Sequence, residues 1–202
     1  RDAYVDFLGH TVFYTPYMSF TLHQERKSGF LAPFYGSTST SGFELSVPYY
    51  WNMAPNRDMT ITPRVMARRG LQLRDEFRYL QPTYKGELDL EYLSNDNITG
   101  TNRYLMKFNH TQTLAYGWSG SLDLNKVSDG KYFIDMSTLI TQTSQTYLVR
   151  QGTLSRGGNW GNGGTYGFSA LAQGWQTLQT DPLAPLTPPY SRRPQLTFTA
   201  QN

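Results

Sequence analysis

The sequence predicts an all-β protein whose main body is a segment of an antiparallel transmembrane β-barrel. Three observations carry that prediction. Apolar residues recur at every second position through most of the chain, the mark of a sheet with one apolar and one wet face. Mean hydropathy is −0.53, and no apolar run approaches the ~18 residues of a spanning helix, yet barrel strands span a bilayer while averaging polar. The 15 Tyr, 11 Phe and 4 Trp fall largely near the ends of the alternating segments, where interfacial girdles belong.

Residues 1–27 form a first unit. Ala3-Tyr4-Val5-Asp6 and Thr11-Val12-Phe13-Tyr14 are rich in β-branched and aromatic residues, Gly9 separates them, and Pro16 and Gln24-Glu25-Arg26-Lys27 close the unit. They read as the last short strands of a soluble β-domain. Residues 28–41, rich in Gly, Ser and Thr, read as an extended or mobile linker. Residues 42–202 carry eight or nine barrel strands of about 9–11 residues each. The first two are Phe43 to Trp51 and Met59 to Ala67, with Phe43, Leu45 and Val47 on one face and Thr60, Thr62, Arg64 and Arg68 on the other.

In the next run Leu88, Leu90 and Tyr92 alternate with Glu87, Asp89 and Glu91, a segregation that no helix produces. Tyr104, Met106 and Phe108 follow against Arg103, Lys107 and Asn109, then Leu114, Tyr116, Trp118, Leu122 and Leu124 against Ser119, Ser121 and Asp123. Turns are expected at Arg69-Gly70, Gln81-Pro82, Ser94 to Gly100 and Lys126 to Lys131. Later strands are expected near Thr146 to Arg156, Tyr166 to Gln176 and from Gln195, separated by a glycine-rich loop at Asn159 to Gly164 and a proline-rich one at Asp181 to Pro194.

Composition excludes several functions. A net charge of +3 spread over 202 residues is no nucleic-acid footprint. With no cysteine there is neither a disulfide nor a thiolate-metal framework, and no cofactor is expected. A hydrolase needs a histidine near a serine or paired carboxylates. Of His10, His23 and His110, two lie in the soluble unit and the third has no nucleophile motif beside it. The Gly157 to Gly164 run lacks the lysine of a phosphate loop. The chain opens at Arg1 and stops inside an alternating run, so it reads as a piece of a longer protein.

Pro48 and Pro63 stand inside the first two barrel strands. Proline brings no N–H to a ladder, so each removes one inter-strand bond. In a bilayer the freed partners find no water, at several kcal/mol per unsatisfied group. Strands that lack donors from the outset are the easiest to part.

The runs Ser28 to Pro33, Gly42 to Asp58, Thr60 to Arg64, Arg68-Arg69-Gly70 and Glu76 to Leu80 come in order and keep their spacing, and together they resemble the LptD family of lipopolysaccharide-assembly proteins. Val127-Ser128-Asp129, Tyr132-Phe133-Ile134-Asp135 and Pro194-Gln195-Leu196 resemble it more loosely. The resemblance implies the N-terminal part of a very large outer-membrane barrel preceded by the end of a periplasmic β-jellyroll (residues 1–27). It also implies a location in the cell outer membrane with the N-terminal segment in the periplasm. It implies lipopolysaccharide as cargo, the lipoprotein LptE as plug, a periplasmic LptA bridge that reaches the jellyroll, and the barrel-assembly machinery during biogenesis. On this mapping Pro48 and Pro63 match the prolines of the family's first two barrel strands, which border a lateral gate. The cysteines that couple jellyroll to barrel in the family have no counterpart here.

Arg64, Arg68, Arg69 and Arg74 are candidate contacts for lipopolysaccharide phosphates, since guanidinium matches phosphate bidentately; lumen salt bridges are the bland alternative. Glu87, Asp89 and Glu91 read as an ordinary polar barrel interior, neutralised by Lys85 and nearby arginines. A passive porin shares the composition, and only the soluble start, the linker and the paired prolines separate it from a lipid translocon.

Overall fold

The computed structural model describes residues 3–7, 10–15, 26–137, 139–161, 163–178, 181 and 183–202. β1 (Ala3–Phe7) and β2 (His10–Thr15) pair antiparallel in a two-stranded sheet of their own. Gly9, Pro16, His23 and Gln24-Glu25, which the sequence reading used to bound or characterise this unit, lie outside the described residues.

All other strands join one antiparallel sheet. From β7 (Arg57–Met66) it runs as a meander through β8 (Gly70–Leu80), β9 (Tyr84–Leu93), β10 (Arg103–Thr113), β11 (Trp118–Val127), β12 (Tyr147–Trp160), β13 (Gly164–Thr177) and β14 (Arg192–Gln201). On its other side β7 is flanked by two short strands end to end, β5 (Gly42–Ser46) and β6 (Tyr49–Ala54). Beyond them lie β4 (Phe34–Thr38) and β3 (Gly29–Phe30). The order is linear, so the sheet is open rather than closed on itself among the described residues. The stretch read as a linker therefore contributes a further rung to the sheet, because Gly29 to Thr38 pair with Gly42 to Tyr50.

Register confirms the alternation. Leu88 faces Phe77 and Phe108, while Glu87 faces Arg78 and Asn109; the two sets lie on opposite faces, as period two demands. Phe43, Leu45, Leu90, Tyr104, Met106 and Trp118 fall on the apolar face with Leu88. Tyr116 does not: it sits in a one-turn 3-10 segment, Ala115–Gly117, with φ 58° and Gly117 at φ 75°. Two successive left-handed residues are what a tight hairpin requires, so the run from Leu114 to Leu124 is a turn plus β11. The glycine-rich stretch after Asn159 is mostly ladder too, since Asn159 pairs with Thr165 and Trp160 with Gly164, leaving Gly161 and Gly163 as its turn residues among those described.

Two short helices, unforeseen in the sequence, interrupt the connection between β11 and β12: α1 (Tyr132–Met136) and α2 (Ile140–Thr143). α1 packs on the polar face. There Met66, Leu93, Leu105 and Val127 interrupt the polar pattern and are buried with Tyr132, Phe133 and Met136 of the helix. By strand order, the β9–β10, β11–β12 and β13–β14 connections leave from one end of the sheet, and the β8–β9, β10–β11 and β12–β13 connections from the other.

Candidate functional site: a proline row and the cavity behind it

β5 and β6 are one strand in register, interrupted at Val47-Pro48. Ser46 still opposes Arg64 and Tyr49 still opposes Ile61. Val47 donates its N–H to the Pro63 carbonyl at 3.2 Å, but Pro63 has no N–H to return to Val47. On the other edge Leu31 donates to the Pro48 carbonyl at 2.9 Å, and Pro48 has no N–H to return to Leu31. Each proline thus leaves a half-made pair in a different interface, the first between β3/β4 and β5/β6, the second between β5/β6 and β7.

The strands holding Pro48 and Pro63 occupy the second and third positions of this sheet, because β3 and β4 precede them. The first position has its own proline, Pro33, at the break between β3 and β4, where the register slips by one residue. That slip is a β-bulge. Pro33, Pro48 and Pro63 consequently line up across three neighbouring strands at one height. Pro33 is the residue that sequence reasoning missed. Its signal was available, since it precedes Pro48 by the same interval by which Pro48 precedes Pro63.

Behind the row, on the polar face, lies a cavity of about 640 Å³. Leu31, Phe34 and Pro48 form its seam-side wall, Phe133, Met136 and Leu139 of the inward-folded connection form another, and Thr60, Thr62, Arg74 and Lys107 contribute polar groups. Lys107 places its ammonium 5.8 Å from the Phe133 ring centre.

The four arginines separate into two kinds. Arg64 is buried and grips Glu44 through Nη2 at 2.6 Å and Nε at 3.0 Å. Arg69 is buried against Asp96 at 2.6 Å and Asp135 at 3.4 Å. Arg68 is exposed in the β7–β8 turn and donates to the Ser39 carbonyl. Arg74 is half exposed, pairs with Glu91 at 3.2 Å and reaches the cavity.

An ion network fastens α1 to the sheet. Arg103, 2% exposed, meets Asp96 at 3.2 Å, Asp129 at 2.6 Å and Asp135 at 3.0 Å. The Tyr132 hydroxyl donates to Glu91 at 2.7 Å and accepts from the Gln72 amide at 3.0 Å. Burial first, and the Glu91 carboxylate second, push that hydroxyl far above its ordinary pKa, so it remains a donor. Of the acidic row, Glu91 is consumed here, and Asp89 lies directly opposite Glu76. His110 is on the apolar face, its Nδ1 2.6 Å from the Tyr79 hydroxyl and its Nε2 3.4 Å from the Gln112 amide oxygen, with no serine or carboxylate among its partners in the described residues.

An open antiparallel sheet with one apolar face, a filled polar face and a weakened edge defines the class: a section of a large β-barrel. The chain belongs to the LptD family. The family model described as "LPS transport system D" matches residues 101–202. The LPS-assembly protein LptD of Nitrosomonas eutropha is 48% identical over 200 residues, covering 99% of this chain and 27% of that protein. Those of Paraburkholderia xenovorans and Chromobacterium violaceum are 45% and 42% identical, covering 94% and 99% of this chain and 23% and 25% of their own lengths. The chain therefore spans about a quarter of the length of these curated relatives.

Proposed function

We propose that this chain is the seam-bearing part of an outer-membrane barrel that moves lipopolysaccharide sideways into the outer leaflet. In this reading residues 1–27 end a periplasmic jellyroll fed by an LptA bridge, residues 28–41 lead into the barrel and contribute its first rung, and 42–202 continue the barrel wall. LptE fills the lumen that the complete barrel encloses. The chemistry is transport rather than bond-making.

The observation that carries the reading is the row Pro33, Pro48, Pro63, with one hydrogen bond missing from each of two adjacent interfaces. A row at one height works as a transverse hinge: the half of each strand on one side can swing against the half on the other without breaking a full ladder in lipid. The cavity behind the row suits an amphipathic anion in transit. Leu31, Phe34 and Met136 offer an apolar wall, and Arg74 and Lys107 offer cations to a phosphate. Arg74 and Arg68 are the arginines with exposure to spare; Arg64 and Arg69 are buried and already paired with carboxylates.

The test is the complete protein with Pro48→Ala and Pro63→Ala together. Each change restores a donor worth about 0.5–1.5 kcal/mol net, and more in lipid. Barrel assembly and LptE binding should persist while lipopolysaccharide at the cell surface falls and sensitivity to large hydrophobic antibiotics rises. Normal assembly with undiminished lipopolysaccharide display would make the prolines mere punctuation and end the gate reading.

A further inference from the structure

The side chain immediately after Pro63 links two parts of the molecule that the chain otherwise keeps apart. Arg64 spends all three guanidinium nitrogens: Nε and Nη2 on Glu44 of β5, and Nη1 on the Gln72 amide oxygen at 3.1 Å and on the Met136 carbonyl at 3.0 Å. Met136 is the last residue of α1, so its carbonyl has no partner inside the helix and needs one from outside. Glu44 in turn accepts from the Thr38 hydroxyl of β4 at 3.1 Å. One continuous polar chain therefore runs from the helix end through β7 to the two strands at the weakened edge.

We propose that Arg64 is a positioning residue that latches the edge strands β4 and β5 to the inward-folded helix α1, so that displacing the helix loosens the seam. The inference rests on the transport reading for its use but not for its test. Two arrangements are available to the pair. With α1 docked, Met136 and Glu44 fix the guanidinium from both sides, and its planar fork holds β5 against β7. With α1 displaced, as when cargo swells the cavity that Phe133, Met136 and Leu139 wall, Arg64 loses one anchor at 3.0 Å. A donor is then left unpaired in a site where Arg64 is only 7% exposed, and the Glu44 grip gains freedom to shift. The helix is held from its other side by contacts that never touch β4 or β5, namely Tyr132 with Glu91 and Gln72. The latch can therefore be released from a distance.

The experiment is amide hydrogen exchange on the complete protein in detergent or nanodiscs, comparing wild type, Tyr132→Phe, Arg64→Lys and the double variant. Tyr132→Phe removes two hydrogen bonds of α1 and keeps the side chains of Arg64, Glu44 and Thr38, although Gln72, which loses its bond to the phenol, also accepts from Arg64. Exchange at Phe34–Ser46 should speed up about tenfold in Tyr132→Phe, the change expected from loss of one charge-assisted bond. It should speed up to a similar degree in Arg64→Lys, where the charge remains and the fork is lost. In the double variant the effects should not multiply, because both act through one link. Unchanged exchange at 34–46 in Tyr132→Phe, or effects that multiply in the double variant, would overturn the latch. A normal latch result together with full lipopolysaccharide display in the proline variants would count against the transport reading alone.

Discussion

Replacing Asp96 should release the connection that folds onto the polar face. Its carboxylate is fully buried, with Oδ2 receiving Arg69 at 2.6 Å and Arg103 at 3.2 Å, and Oδ1 receiving the Ile98 N–H at 3.0 Å. Asp96→Ala strips a shared anion from two guanidiniums that are 3% and 2% exposed. Breaking a buried pair of this kind costs about 3–5 kcal/mol, because both guanidiniums lose their one fully buried carboxylate and the Ile98 N–H loses its acceptor, leaving only the partly exposed Asp129 and Asp135 beside them. Asp96→Asn loses the same charge but keeps a side-chain oxygen as acceptor for Ile98 or the guanidiniums, so its cost should be nearer ~1–3 kcal/mol. The readout is local opening, measured by amide exchange of the complete protein at Tyr132–Met136 and in the 94–102 loop. At 1.4 kcal/mol per factor of ten, Asp96→Ala should speed exchange there by about two to three and a half powers of ten, and Asp96→Asn by about one to two. Distant strands such as β13 should not change. If Asp96→Ala speeds exchange less than about fivefold, the network does not hold α1, and the account of the filled polar face is wrong.

Two further predictions follow from the same geometry. Gly86 lies under the Tyr79 ring, and a Cβ there would collide with the Tyr79 hydroxyl and stand 2.6 Å from the Asn109 backbone carbonyl. Gly86→Ala should therefore destabilise the barrel by about 1–3 kcal/mol, the range for overpacking, and cost the Tyr79–His110 hydrogen bond; a thermal melt within a degree of wild type would refute this. Pro33→Ala, added to the Pro48→Ala and Pro63→Ala pair, should lower lipopolysaccharide display below that of the pair alone, since it removes the one proline of the row still in place; equal display would remove Pro33 from the hinge.

The faces of the sheet were legible in the sequence because period two is a local property: Leu88 and Glu87 had to part, whatever lay around them. Tyr116 escaped because it continues the alternation in sequence while its backbone turns left-handed, and only the following Gly117 hints at that. The connector at 28–41 looked unstructured because its pairing partners, Gly42 to Tyr50, supply the order through the ladder rather than through propensity. α1 was invisible for a related reason. Five residues have no helical preference worth reading, and Tyr132 to Met136 is held by Arg64, Arg103 and Gln72, whose approach depends on tertiary register. The same register explains the arginines: sequence spacing placed Arg64 and Arg69 among phosphate candidates, and only the structure brings Glu44, Asp96 and Asp135 to them.

The central claim is that lipid gathers behind the proline row and leaves through it, and site-specific photocrosslinking in living cells tests it most directly. A photoreactive residue at Phe34 reports on the cavity, one at Val47 on the apolar side of the same seam, and one at Leu122 on the apolar face far from it. With the prolines intact, lipopolysaccharide should label Phe34, and should label Val47 more strongly than Leu122. With Pro48→Ala and Pro63→Ala, the Phe34 adduct should persist while the excess at Val47 over Leu122 disappears, because cargo arrives and does not exit. Equal labelling of Val47 and Leu122 with the prolines intact, or an excess at Val47 that survives their replacement, would contradict it.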